Sequence, residues 1–238
     1  MSPKRGRRRR AWASYADEVT GTIHLGGGGD ATDEEPLWRV MLQDVRRVLY
    51  WPFALPPARR RDAGAWLAGA FAGLGADVDL ETWSDLSRHH PDEMADADLL
   101  FVGGGNTFRL LDRVRRAGFE QPVRDFVARG GDYYGGSAGA ILACADIGVG
   151  VGIDENEVGL TGLDLVRDLV VLPHYDPTQA AAAREWSNRR ARALVGVPER
   201  SGLAVRDGDA EVIGHEPVAV FDGADVTVVR PGERWRTA

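Results

Sequence analysis

The stretch that most constrains this chain is Tyr133-Tyr134-Gly135-Gly136-Ser137-Ala138-Gly139-Ala140. It reads as the end of a buried strand, a sharp turn carrying Ser137, and the start of a helix. Gly135 to Gly139 fit G-x-S-x-G, the pattern of a nucleophile elbow. A side chain held in so tight a turn needs neighbours without bulk, because strand and helix backbones pass close together. Such a turn presents the serine hydroxyl at the carboxyl end of a strand, with helix N-terminal amides nearby for a developing negative charge. Glycine-rich strand-to-helix turns also occur without chemistry, so the rest of the chain has to supply a context.

Alternation of strand and helix patterns supplies it. Residues 21–25 and 45–52 read as strands, and residues 33–43 as a helix with acidic residues at its start. Trp66, Leu67, Ala70, Phe71 and Leu74 share one helical face. Residues 76–83 alternate apolar and polar, as a strand near a sheet edge does. Residues 97–102 form a nearly continuous apolar run, typical of a central parallel strand, and empty into Gly103-Gly104-Gly105-Asn106-Thr107. Two helical patterns follow, then the elbow, then an apolar strand over 169–172 ending in Pro173-His174-Tyr175. A helix is expected over 179–195. From Gly202 onward, four short β-prone runs separated by turn residues suggest antiparallel hairpins. The expected fold class is α/β: an open, mostly parallel sheet flanked by helices, with C-terminal antiparallel hairpins. The expected organisation is a basic, disordered tail over 1–20 and one α/β domain over 21–238.

Charge and cysteine content narrow the function classes. The net charge is -7, although the first ten residues hold six basic side chains, so the body is strongly acidic. An Arg-rich arm on an acidic body reads as a solvated tail, and nucleic acid is not an expected partner. No apolar run reaches the ~18–20 residues that span a bilayer, and the start lacks a signal-peptide core. A cytoplasmic protein with no membrane partner is expected. The single Cys144 excludes an intrachain disulfide and a multi-cysteine zinc site, and it reads as a buried structural thiol. Adjacent His89 and His90 read as a solvated loop, since metal sites need convergent ligands. The glycine run 26–29 lacks the spacing of a phosphate-binding loop.

Strand carboxyl ends of an open α/β sheet line one edge, where ligands bind. Ser137 and His174 both fall there, and histidine is the base that activates a serine near neutral pH. A carboxylate is needed to fix the tautomer of the histidine. Asp207, Glu199, Asp154 and Glu155 all qualify from the residues alone. For the oxyanion, Ala138 directly after the nucleophile supplies one amide and Gly105 a second, with Asn106 bracing that turn.

The run Phe101-Val102-Gly103-Gly104-Gly105-Asn106-Thr107-Phe108-Arg109-Leu110-Leu111, together with Gly135-Gly136-Ser137-Ala138-Gly139-Ala140, resembles the dipeptidase E family of serine peptidases, which also contains cyanophycinases and aspartyl dipeptidases. The resemblance covers roughly residues 99–221. It implies a fold like that of class I glutamine amidotransferases, with serine in place of cysteine at the elbow. It implies a Ser-His-acid triad: Ser137 as nucleophile, His174 through Pro173-His174-Tyr175, and Asp207 at the end of Gly202 to Gly208, with Glu199 as the second choice. It also implies that Arg184, in Ala183-Arg184-Glu185, recognises an acidic side chain before the cleaved bond. Asn106 is expected to contact substrate as well. The expected activity is hydrolysis of small, acidic peptides without metal or organic cofactor. Other readings of the same residues are a different acyl hydrolase (cyanophycinase-like, amidase or esterase) or a non-catalytic binding module of amidotransferase-like shape.

Overall fold

The protein's structure is a computed structural model that describes residues 21–151 and 158–237. The basic tail and two of the candidate acids, Asp154 and Glu155, lie outside these residues.

The chain alternates strand and helix as its hydrophobic pattern predicts. Strand β1 (Ile23–Gly26) is followed by α1 (Glu35–Met41), β2 (Arg47–Trp51), the short α2 (Pro57–Arg60), α3 (Ala63–Gly73) and β3 (Asp79–Thr82). Then come β4 (Leu99–Val102), α4 (Thr107–Arg116), α5 (Glu120–Ala128), β5 (Asp132–Gly136) and α6 (Ala138–Ala143). The C-terminal part holds β6 (Val170–Pro173), α7 (Ala180–Arg190), β7 (Leu194–Val197), β8 (Ser201–Arg206), β9 (Asp209–Gly214), β10 (Val218–Asp222), β11 (Asp225–Val229) and β12 (Arg234–Arg236).

Eight strands form the main sheet in the order β12-β9-β8-β1-β5-β4-β2-β3. Strands β1 to β5 are parallel, and β8 joins them antiparallel to β1, pairing Gly26 with Gly202 and Ile23 with Val205. The alternating strand β3 lies at the sheet's edge, half exposed. A second sheet, β11-β10-β7-β6, pairs β6 and β7 in parallel and builds the other hairpin antiparallel on β7.

Side-chain alternation sorts the core into layers. On β2, Leu49 and Trp51 face one cluster with α4, α5, α6 and the second sheet; Val48 and Tyr50 face another with α1 and α3. The outer face of the second sheet is covered by α7 through Ala183, against Val170, Leu194 and Phe221.

One expectation fails here. The helix stops at Arg190, because Ala191 takes a left-handed conformation (φ 49°) and ends it. Leu194-Val195-Gly196-Val197 then forms β7, a fully buried strand. The apolar run seats this segment against β6 and β10, so sheet pairing prevails over the helix-favouring Ala/Arg composition upstream. The Ser201–Arg206 and Asp209–Gly214 hairpin forms as its turn residues predict, and β12 adds a strand that the pattern did not announce.

Candidate active site

The elbow forms where the sequence places it. Gly135 and Gly136 close β5, Ser137 turns with φ 50° and ψ -107°, and α6 begins at Ala138. Positive φ at a non-glycine residue marks a backbone over-determined by its surroundings. The surroundings are visible: a Cβ on Gly135 would stand 2.4 Å from the carbonyl carbon of Gly139, so strand and helix touch backbone to backbone. The hydroxyl of Tyr133 donates to the Gly139 carbonyl at 2.8 Å and fixes the first turn of α6.

His174 follows β6 directly. Its backbone N–H donates to the Gly27 carbonyl at 2.7 Å, tying β6 to the loop after β1. The imidazole Nε2 lies 2.9 Å from Ser137 Oγ, and Nδ1 lies 2.8 Å from Glu199 Oε1. Strand geometry explains the convergence. β6 and β7 are parallel neighbours with Pro173 opposite Val197, so residues just past their carboxyl ends emerge side by side.

Asp207, the acid favoured by the resemblance, is not brought to His174. It occupies the turn between β8 and β9 with Gly208, and it lines clefts with Thr22, Arg206 and Arg236 away from Ser137. The reason is strand direction. β8 runs antiparallel to β1, so its first residues lie at the Ser137 edge and its last residues at the opposite edge. A strand of this length separates its ends by roughly 20 Å.

The glycine run 26–29 holds this arrangement together. A Cβ on Gly28, which has φ 98°, would stand 2.4 Å from Cε1 of His174, so the imidazole fills the place a side chain would take. The Gly28 N–H donates to Glu34 Oε1 at 2.8 Å, Trp38 Nε1 donates to Glu34 Oε2 at 3.1 Å, and the Tyr134 hydroxyl donates to the same oxygen. Glu34 is fully buried, and burial pushes its pKa up to about 7 against the pull of these hydrogen bonds. The phenol of Tyr134 is pushed well above its usual range, first by burial and then by the neighbouring carboxyl. Glu34 was missed in the sequence, where it reads as one of three acids at a helix start. Its spacing of four from Trp38 and its position after four glycines are the available signals.

On the other side of Ser137 stands the Gly103-Gly104-Gly105 turn. Of these three glycines, Gly104 approaches the nucleophile: a Cβ there would lie 3.2 Å from Ser137 Cβ and 3.9 Å from Oγ. Gly105 turns its α-carbon towards the Ala54 carbonyl. No protein group among the described residues accepts a hydrogen bond from the amide of Gly104 or Gly105. Asn106, expected to contact substrate, is instead the N-cap of α4, its Oδ1 accepting the Arg109 N–H at 2.7 Å. Its carbonyl is thereby committed to the helix end.

A cavity of about 430 Å³ opens beside Ser137 and runs under α1, α2 and α3. Ser137, Gly136 and Gly104 form one wall, and Trp38, Tyr50, Trp66, Phe101 and Tyr134 contribute rings. Arg184 is not among its lining residues. It sits on the exposed side of α7, which packs on the second sheet, whereas the arginine at this cavity is Arg59.

The remaining candidates have structural roles. His24 is buried on β1, and burial pushes its pKa down to about 4. His89 stacks on Trp83 at 4.0 Å between ring centroids, and His90 caps the turn Pro91–Asp96. Cys144 is buried, its thiol donating to the Ala140 carbonyl, and burial raises its pKa to about 12.

Comparison with known proteins gives the family. Residues 23–213 match the family model described as Peptidase family S51. The chain belongs to peptidase family S51. The S51 match reaches back to β1, further than the motif resemblance over 99–221. Peptidase E of Escherichia coli O6:K15:H31 (strain 536 / UPEC) is 31% identical over 213 residues, covering 84% of this chain and 91% of that one. Among solved structures, a peptidase from an acI-B1 Actinobacterium superposes with a TM-score of 0.70 at 18% identity, over 92% of this chain and 98% of that one. A Listeria monocytogenes EGD-e protein provisionally assigned to peptidase E gives a TM-score of 0.65 at 19% identity, over 83% and 100%. At these identities the two structures speak for the S51 fold: a mostly parallel sheet extended by antiparallel strands. Among the described residues, no helix is long and apolar enough to cross a membrane.

Proposed function

We propose that this S51 protein hydrolyses small peptides with Ser137 as nucleophile, His174 as general base and acid, and Glu199 as the carboxylate that orients His174. The observation that carries the reading is the continuous line from Ser137 Oγ through both imidazole nitrogens to Glu199, with spacings of 2.9 and 2.8 Å. Hydrogen-bond reach from nucleophile to base and from base to orienting acid is the geometry acyl transfer requires.

In the reaction, Ser137 Oγ attacks the peptide carbonyl as His174 Nε2 takes its proton. Glu199 accepts from Nδ1–H and stabilises the imidazolium. We assign the tetrahedral oxyanion to the Ala138 amide and the amides of the Gly104–Gly105 turn, of which Gly104 approaches Ser137. Collapse breaks the C–N bond, and Nε2 returns the proton to the leaving amine. A water molecule, deprotonated by His174, then attacks the acyl-serine and releases the second product.

The test is release of amino acids from a panel of dipeptides. Wild-type protein is expected to turn over at least part of the panel, and Ser137→Ala to lose about 10³-fold or more in kcat/KM. Equal rates for the two proteins would overturn the assignment of the nucleophile. Rapid ester hydrolysis with no peptide hydrolysis would favour the esterase reading of the same residues.

A further inference from the structure

The cavity beside Ser137 is walled mainly by aromatic rings. Its accessible lining is predominantly apolar, and its volume of about 430 Å³ is that of a small-ligand site. Tyr50 and Phe101 form its floor on the sheet. Its outer wall is Trp66 of α3, which is 53% exposed although the same helix buries Leu67 and Phe71 fully. Trp66 meets Trp38 edge to face at 6.3 Å, so the exposed ring is held in place at the cavity mouth.

The charged groups of the cavity favour neither sign of ligand. The Glu34 carboxyl in the wall gives an acidic side chain no counter-charge, and its oxygens are already engaged by Gly28, Trp38 and Tyr134. A basic side chain would find little acceptor there, since both Glu34 oxygens already accept from Gly28, Trp38 and Tyr134. Arg59 and Asp62 sit at the exposed mouth, opposite in sign and close in sequence.

We infer that this cavity receives a large apolar or aromatic side chain on the residue whose carbonyl Ser137 attacks, with Trp66 as the specificity-determining wall. The inference rests on the peptidase reading above and names its substrate class. It departs from the acidic preference that the resemblance implies, for which Arg184 was to be the recognition residue. A bound aromatic ring would cover the exposed face of Trp66, and ring-on-ring contact adds to the area removed from water.

Binding to Ser137→Ala protein separates this inference from the catalytic reading, because it needs no turnover. Calorimetric titration with phenylalanyl-, alanyl- and aspartyl-alanine is expected to rank them in that order, phenylalanyl at least about tenfold tighter than aspartyl. Adding Trp66→Ala should weaken phenylalanyl-alanine about tenfold, with a smaller penalty for alanyl-alanine, while Trp66→Phe retains the ranking. Circular dichroism confirms that each variant is folded. Tightest binding of aspartyl-alanine, an unchanged ranking in Trp66→Ala, or no binding of any of the three at millimolar concentration would overturn the inference. Loss of turnover by the wild type with this ranking intact would instead count against the peptidase reading alone.

Discussion

His174 and Glu199 stand just beyond the carboxyl ends of two adjacent parallel strands, and their side chains meet at 2.8 Å. The pairing joins residues 25 positions apart through the register of the second sheet rather than through any local turn. Both side chains are about half exposed, at 47% and 56%, so their attraction is screened and the pair adds little to stability. Its value is orientational: a carboxylate at Nδ1 leaves Nε2 as the nitrogen that faces Ser137.

Gly28→Ala tests how the imidazole is seated. The substitution puts a methyl group where the His174 ring lies and asks alanine to adopt φ 98°. Displacing the ring by about 1 Å is expected to reduce kcat/KM roughly 100-fold, whereas strain of this kind destabilises by about 1–3 kcal/mol. Steady-state kinetics beside a thermal melt separates the two effects, because a purely structural defect would lower the melting temperature and leave the activity of the folded fraction unchanged.

Glu34 predicts a pH dependence of stability. Its pKa is about 7 in the folded protein against 4.5 for an exposed carboxyl, so the folded state holds this proton where the unfolded chain has released it. The contribution is complete below about pH 4.5 and is lost as pH rises through 7. At about 1.4 kcal/mol per pKa unit, the loss is on the order of 3 kcal/mol. Urea unfolding of wild type and Glu34→Gln at pH 5 and pH 8 measures it. The wild type should weaken relative to the variant on going to pH 8, and parallel behaviour would show that Glu34 keeps an ordinary pKa.

Asn106→Ala distinguishes a helix cap from a substrate contact. Removing the acceptor for the Arg109 N–H is expected to cost about 1 kcal/mol of stability, with KM changed less than twofold. A raised KM at unchanged stability would return Asn106 to the binding site.

What the sequence made legible was local. The elbow is eight residues in which strand, turn and helix follow one another, and His174 sits at the end of a four-residue apolar run. Both can be read within one window. Glu199 stood only as a second choice, because β7 is only four residues long and follows an Ala/Arg-rich helix, so its start reads as the continuation of that helix. Without β7 nothing places Glu199 beside His174, and the longer strand ending at Asp207 attracts the assignment instead. Glu34 was hidden for a different reason. An acid in a first helical turn reads as a solvated residue favouring the helix dipole, and its burial arises from Tyr134, 100 residues away. Arg184 lies away from the cavity because a motif position fixes the sequence neighbourhood and not which layer the helix covers.

The most direct test of the central claim is the rate at which a fluorophosphonate labels Ser137 in wild type, Glu199→Gln and Asp207→Asn, with the adduct located by peptide mass spectrometry. The account predicts labelling of wild type at Ser137, slowing by about 100-fold or more in Glu199→Gln, and a rate within twofold of wild type in Asp207→Asn. Wild-type protein that remains unlabelled, or slowing in Asp207→Asn with Glu199→Gln unaffected, would contradict it.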